Sequence, residues 1–287
     1  VDKRKILIQI DSDPHASVFD RVVAIDAGAD EIFSYAGVKP EQVQSLVHGA
    51  IFTRGPKDLK STAIFIGGSD VALGEKLMAE ALKAMLPKFG LRVSIMLDAN
   101  GANTTAAAAV RAAARHINLK DTNALVLGGT GPVGQRVARL LAHEGAQVRI
   151  GSRQATKAAA VCQEIAAKVS GARLEPAGTA TSEELTAALD GREIVVAAGA
   201  AGIVLLPIAM RGPALRVAID LNAVPPLGVE GVGVGDKGVD QAGVICYGAI
   251  GVGDTKMKVH KAAIAALFEN KDKVLDAEDI FAIAQRF

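Results

Sequence analysis

The apolar run Leu125-Val126-Leu127 breaks into Gly128-Gly129-Thr130-Gly131-Pro132-Val133-Gly134, and the amphipathic stretch 135–142 follows at once. A strand, a glycine turn and a helix in immediate succession leave few folds open. In this reading Gly129 permits the turn, Gly131 lets the backbone approach a pyrophosphate, and Gly134 lets the helix pack against the strand. Thr130, Pro132 and Val133 complete the loop. The helix start offers unpaired N–H groups and the positive end of its dipole, so the anion sits there. Glycine turns without ligands are common, and the weight here comes from the strand before and the helix after. The unit belongs to a parallel α/β sheet of the Rossmann type, and its ligand is a dinucleotide.

The next strand, Gln147-Val148-Arg149-Ile150, ends about twenty residues beyond the glycines, where a carboxylate would bind the ribose 2′-hydroxyl of NAD. Here the chain reads Gly151-Ser152-Arg153, with Lys157 one turn on. No acid stands there to repel a phosphate, and a guanidinium grips a 2′-phosphate with several donors or stacks on adenine. Ser152, Arg153 and Lys157 therefore favour NADP, with use of NAD left open, as is the plain alternative that Arg153 is a solvated residue at a helix start. Further along, a strand ending at Ala198 runs into Gly199-Ala200-Ala201-Gly202, a small-residue turn that a nicotinamide ribose can approach.

A chain of 287 residues, 50% hydrophobic and 22% charged, has material for two domains. A net charge of +1 offers no field for a polyanion, and 3% aromatic residues with no Trp provide no stacking platform, so nucleic acid is not an expected partner. Every apolar run is broken by charge or glycine before it reaches membrane length, and no signal peptide is seen, which makes the cytoplasm the expected compartment. Cys162 and Cys246 read as small buried apolar residues rather than a disulfide or metal pair.

Taken in order, strands are expected at 5–10, 31–35, 61–66 and 92–97, with helices from Val18 to Gly28, over 40–47, over 71–86 and through Arg115. Ser17 caps the first helix, whose Val18, Val22, Val23 and Ile25 form its apolar face; Asn103 or Thr104 caps the Ala-rich one. Asp11, Asp13 and Asp20 invite a metal, but the glycine and closing glutamate of a calcium loop are missing, and no metal is expected. The polar turns after Ile10, Ile66 and Leu97 lie on one edge of a parallel sheet, off the strands' carboxyl ends, where ligands bind. Beyond the dinucleotide unit come helices at 158–169 and 182–189, strands at 173–176, 194–198 and 217–220, and the turn containing Asn222 and Pro225-Pro226. The glycine-rich segment 228–253, with interleaved Val, Ile, Cys and Tyr, reads as ordered loop and strand. Asp254-Thr255 caps a helix carrying Lys256, Lys258 and His260, and Asp276 caps the last one. The terminal helical pair packs back on the first domain, which makes residues 1–104 and 254–287 one discontinuous domain and 105–253 the nucleotide domain.

These residues resemble the NADP-dependent methylene-tetrahydromethanopterin dehydrogenases of bacterial one-carbon metabolism over nearly the whole chain. The similarity rests on Asp11 with Ser17-Val18-Phe19-Asp20, Thr53-Arg54-Gly55, Ser61-Thr62-Ala63-Ile64-Phe65, Asp98 with Asn100-Gly101 and Asn103-Thr104-Thr105, the glycine loop, Asn222-Ala223 with Pro225-Pro226-Leu227-Gly228, and Lys256-Met257-Lys258 before His260. It implies a pterin domain built from both chain ends around an inserted NADP domain, distantly like methylene-tetrahydrofolate dehydrogenases, and a homo-oligomer, a trimer or a multiple of one. It further implies that Asp20 and Lys256 flank the pterin as catalytic groups, that Asp98, Asn100, Asn103, Thr104 and His260 help bind it, and that Asn222 lies by the cofactor. Lys60 departs from the glutamine of a family member, so no role passes to it.

The chemistry suits such a sequence. Oxidising a carbon held between two nitrogens moves a hydride and leaves a cation stabilised by nitrogen lone pairs, with no proton to remove, so no tuned general base is needed. Positioning and a field tolerant of positive charge remain for the protein to supply; Asp20, aided by Asp98, is the expected source, and Lys256 is expected to hold a pterin carbonyl or carboxylate. The competing readings are the same transfer on a folate, reduction of a keto acid or quinate-like substrate through a Lys60 and Asp98 pair, and a non-enzymatic NADP-sensing module. No residue stands out for activating water, so cyclohydrolase activity is expected to be absent.

Overall fold

The computed structural model of the chain describes residues 3–287. They divide into two compact units, one ending at Thr104 and resuming at Met257, the other spanning Thr105–Lys256.

The first unit carries β1 (Ile6–Asp11), α1 (Val18–Asp26), β2 (Glu31–Tyr35), α2 (Val43–Phe52), β3 (Thr62–Gly67), α3 (Val71–Ala84) and β4 (Ser94–Leu97). It is completed by β12 (Val274–Leu275) and α9 (Ala277–Ala284) near the end of the chain. The strands form an all-parallel sheet in the order β12-β4-β3-β1-β2. Such a sheet is covered on both faces, and its inner strands read as continuous apolar runs; β3 is buried at every position. Ile8, Ile10, Ile64, Ile66, Ile95 and Leu97 point to one face, against Val47 and Ile51 of α2 and Leu77 and Ala81 of α3. Leu7, Gln9, Phe65 and Met96 alternate onto the other and are equally buried.

Helix α1 corrects the expectation for its apolar face. Ser17 caps it, its hydroxyl accepting the Asp20 N–H at 3.2 Å. Its buried residues, however, are Val23 and Ala24, while Val18, Val22 and Ile25 are 71%, 56% and 52% exposed. The helix has apolar residues on both sides, and spacing alone does not tell which side meets the sheet. The outer side borders a hollow of about 460 Å³ that Ile32 of β2 helps to line.

The second unit carries β5 (Asn123–Leu127), α5 (Pro132–His143), β6 (Gln147–Ser152), α6 (Ala155–Lys168), β7 (Arg173–Gly178), α7 (Ser182–Leu189), β8 (Ile194–Ala197), β9 (Val217–Asp220), β10 (Lys237–Gln241) and β11 (Val244–Tyr247). The seven strands are ordered β10-β11-β9-β8-β5-β6-β7, parallel except for the β10–β11 hairpin. That hairpin turns through Ala242 and Gly243, both at positive φ, the conformation that two-residue hairpin loops require. Glycine-rich 228–253 is thus ordered, as expected, but its end is helical. Helix α8 (Ala249–Ala266) starts well before Asp254-Thr255, which lie inside it and do not cap it. Its early glycines serve packing: a side chain at Gly248 or Gly251 would run into the backbone of Gly233-Val234 or Asp236.

The Ala-rich helix α4 (Ala102–Ala114) also differs from expectation at its start. Neither Asn103 nor Thr104 caps it. The chain enters through a tight turn with Asn100 at φ +56°, and the Asp98 carboxylate meets the helix end, accepting the Thr104 N–H at 2.9 Å. Both cysteines are free and buried. Among the described residues no helix is long and apolar enough to cross a membrane.

Candidate functional site

In an open parallel sheet, ligands bind off the carboxyl ends of two adjacent strands whose following connections leave in opposite directions. The second unit has that point between β5, which leads to β6 and β7, and β8, which leads to β9. The glycine loop lies there, and the geometry redistributes the roles of its glycines. The left-handed residue is Gly128, at φ +68°. A side chain on Gly128 would strike the backbone of Gly199, so the two small-residue turns lie against each other. Gly129 is needed for packing, since a Cβ there would lie 2.7 Å from Ile150 Cγ2. Gly131 precedes α5 in an extended conformation with Pro132 at the first helical position, and no side chain caps the helix. Gly134 brings helix and strand together: its Cβ would lie 2.5 Å from the Gly128 carbonyl oxygen. Gln135 Nε2 donates to the Thr130 carbonyl at 2.8 Å and steadies the loop. The register of the Gly128-Gly129 pair is ambiguous in sequence, which is why Gly128 is missed there.

A cleft of about 880 Å³ opens from this loop. Gly128, Thr130, Gly131 and Pro132 line one part; Ala198 and Gly199 line another. Ser152, Arg153 and Lys157, at the end of β6 and the start of α6, line a third, together with Thr179 and Thr181. The two threonines were not expected; the signal for them is Thr181-Ser182-Glu183-Glu184, a capping box directly after a strand. Thr181 Oγ1 accepts the Glu184 N–H, and the Glu184 carboxylate accepts the Ala180 and Thr181 N–H groups. Arg153 and Lys157 are exposed and make no ion pair among the described residues. Gly129, Val133, Gly134 and Asn222 are not part of the cleft lining. Asn222 is buried after β9: its N–H donates to Asp220 Oδ1, its Oδ1 accepts the Val224 N–H, and its Nδ2 has no hydrogen-bond partner among the described residues. Asp220 itself is fully buried and latches this loop through the Asn222 and Val229 N–H groups. Burial pushes its carboxyl pKa up, partly opposed by those N–H donors and that of Gly228.

This cleft fits a dinucleotide. Backbone N–H groups at an uncapped helix start and, among the described residues, two exposed cations without ion-pair partners at the β6 end are groups that could hold a dinucleotide's phosphates.

In the first unit, β1 and β3 are neighbours while β1 leads to β2 on one side and β3 to β4 on the other, so the corresponding point lies at Asp11 and Gly67. Asp11 accepts the Asp13 N–H at 2.9 Å and the Ser17 N–H at 3.1 Å. Asp13 in turn accepts the N–H and hydroxyl of Ser69. These two acids build the loop, and among the described residues no cluster suited to a metal ion forms. Asp20, in the first turn of α1, brings its Oδ1 to 4.0 Å from His260 Nε2. A Cβ at Gly67 would lie 3.3 Å from Asp11 Oδ2 and 3.6 Å from Asp20 Oδ2, so two carboxylates converge over this glycine.

The other expected pterin contacts are placed differently. Asp98 is buried, and its second oxygen accepts the Thr104 hydroxyl at 2.7 Å. Buried Asn103 donates to the Leu97 carbonyl and to Asp276. Asp98, Asn103 and Thr104 thus hold the turn after β4, while Asn100 is exposed on it and donates its N–H to the Gly68 carbonyl at 2.6 Å. Asp11 and Asp20 both reach Gly67, while both carboxylate oxygens of Asp98 are engaged with Thr104. Lys60 is exposed and Asp98 engaged with Thr104, so the Lys60 and Asp98 pair of the keto-acid reading is not formed. Lys256 is half-buried on α8, one turn before the fully buried His260.

Fold and sites together define a nicotinamide-nucleotide-dependent dehydrogenase of the two-domain α/β kind. Residues 18–100 match the family described as methylene-tetrahydromethanopterin dehydrogenase, N-terminal. The chain is 43% identical over 286 residues to bifunctional protein MdtA of Methylorubrum extorquens, covering 98% of each. It is 31% identical to the NAD(P)-dependent methylenetetrahydromethanopterin dehydrogenase of the same organism, again over 98% of each. The chain belongs to the methylene-tetrahydromethanopterin dehydrogenase family. Its fold is shared with shikimate 5-dehydrogenase of Listeria monocytogenes, with TM-score 0.56 and 16% identity over 97% of this chain and 96% of that one. Quinate dehydrogenase of Corynebacterium glutamicum is comparable, with TM-score 0.54 and 12% identity over 98% and 99%.

Proposed function

We propose that the chain oxidises the methylene bridge of methylene-tetrahydromethanopterin to the methenyl cation, with NADP as the preferred acceptor and NAD as a poorer one, in cytoplasmic one-carbon metabolism. The observation that carries this reading is the convergence of Asp20 and Asp11 over Gly67 in a member of this family. A negative field at a sheet's ligand edge suits a reaction whose product is a cation and whose hydride leaves without a protein base. Asp20, partly exposed, faces the developing charge, and buried Asp11 holds the loop that aims it. Lys256 holds a carbonyl or carboxylate of the pterin. When bound, the nucleotide supplies the hydride acceptor; Gly131 and the α5 N-terminus receive its pyrophosphate, and Arg153 and Lys157 its 2′-phosphate. Ser152 and Gly199 give that same surface the room it needs.

No residue near Asp20 is assigned to activating water, so the reading includes no cyclohydrolase step. It also includes self-association, supported by the exposed Val18, Val22 and Ile25 on α1. The test is an anaerobic assay with methylene-tetrahydromethanopterin and methylene-tetrahydrofolate, each with NADP and with NAD. The highest kcat/KM is expected for the methanopterin with NADP, with methenyl and not formyl product. Tight NADP binding without turnover of either pterin would instead establish the sensing-module reading.

A further inference from the structure

Helix α8 turns a buried imidazole toward the Asp20 carboxylate. The His260 side chain is 1% exposed, and its Nε2 lies 4.0 Å from Asp20 Oδ1. Phe65 stacks on it with a centroid distance of 5.8 Å and an interplanar angle of 17°, and Phe19 covers it at 6.1 Å. Neighbouring Val259, Ala263 and Ile264 on the same helix are buried and apolar. Among such surroundings a hydrocarbon ring would fill the space without the desolvation cost that an imidazole carries, so the nitrogen atoms need a reason. The polar group they face is Asp20, whose neighbour Phe19 supplies one wall of the pocket. One turn of α1 therefore brings both the ring that shields His260 and the carboxylate that His260 faces.

We infer that His260 is a positioning residue that acts on hydride transfer through Asp20: it holds the carboxylate's direction and charge at the reacting edge without meeting the substrate. This revises the expectation that His260 contacts the pterin, since a side chain so enclosed presents no surface to it. Asp20 and Asp11 both approach Gly67, and a proton on the His260 Nε2, 4.0 Å from Asp20 Oδ1, would offset their repulsion and favour one direction of the Asp20 carboxylate. A carboxylate preorganised in this way stabilises developing charge more than one free to turn away.

The inference rests on the catalytic role proposed for Asp20, and a double-mutant cycle separates the two. His260→Phe keeps an aromatic ring between Phe65 and Phe19 and removes the nitrogens; His260→Met is a second removal variant, and His260→Gln restores a polar donor. The cycle is run with whichever methylene pterin the wild type oxidises. Expected are a fall in kcat of about tenfold or more for His260→Phe, a change in pterin KM and NADP affinity below about threefold, and partial recovery in His260→Gln. In the Asp20→Asn background His260→Phe should cause no further loss, because the group through which it acts is gone. The same fold-loss in both backgrounds, or a lowered Tm with unchanged kcat in both removal variants, overturns the inference while leaving the role of Asp20 intact. Full activity in Asp20→Asn overturns both.

Discussion

The segments β1–α1 and β5–α5 are two versions of one construction: a buried parallel strand, a short loop at the point where the sheet's connections diverge, and a helix. They differ in what satisfies the helix start. At α1 the chain supplies its own acceptors, since Asp11 takes the Ser17 N–H and the Ser17 hydroxyl takes the Asp20 N–H. At α5 no side chain caps the helix and the preceding loop is glycine-rich. An uncapped start leaves donors for a bound phosphate; at α1 the cap takes the Asp20 N–H, and the first turn carries a carboxylate instead. The same backbone plan thereby presents free donors at the helix start in one unit and a carboxylate in the other.

The comparison can be broken most severely by giving α5 the cap that α1 has. Gly131→Asp places an acceptor on the free N–H groups and a negative charge where the pyrophosphate belongs; NADP affinity by calorimetry should fall at least about a hundredfold, while Tm holds or rises because Asp is a favourable N-cap. Removing the carboxylate that distinguishes α1 is next: Asp20→Ala should lower kcat on the order of a hundredfold with NADP affinity unchanged. Near-normal turnover would end its catalytic role. Arg153→Ala sharpens the picture of the second unit, raising the KM for NADP about tenfold and leaving that for NAD alone, as loss of a charge-assisted pair with the 2′-phosphate requires. An unchanged NADP value would return Arg153 to the solvated helix-start reading.

The smallest effect concerns Asp220. Its carboxyl pKa is raised by burial, so the folded chain binds more protons than the unfolded one as pH climbs past the ordinary aspartate range. Its contribution is fully present below that range and is lost as pH rises through the raised value. Between those two points Tm should fall, and Asp220→Asn should flatten that part of the profile.

The strand, glycine turn and helix at 123–143 and the succession of strands and helices around them were legible in the chain because each depends on residues near in sequence: apolar period, turn glycines, a proline at the first helical position. The family was legible for the same reason. Where two local solutions compete, legibility stops. Gly128 and not Gly129 takes the positive φ, because only the approach of Gly199 and Ile150 distinguishes them. Val18, Val22 and Ile25 have helical spacing whether they face a sheet or solvent. Helix α8 begins among glycines because a loop presses against it at Gly248 and Gly251. The environment of Asp20 belongs to tertiary structure alone: Asp11, Gly67, Phe65 and His260 come from two strands, β1 and β3, and a distant helix. Sequence names the groups a reaction needs, while burial, and the exchange of water for neighbours that it forces, decides which of them remain available for chemistry and which are spent on holding a turn, as Asp98 and Thr104 are.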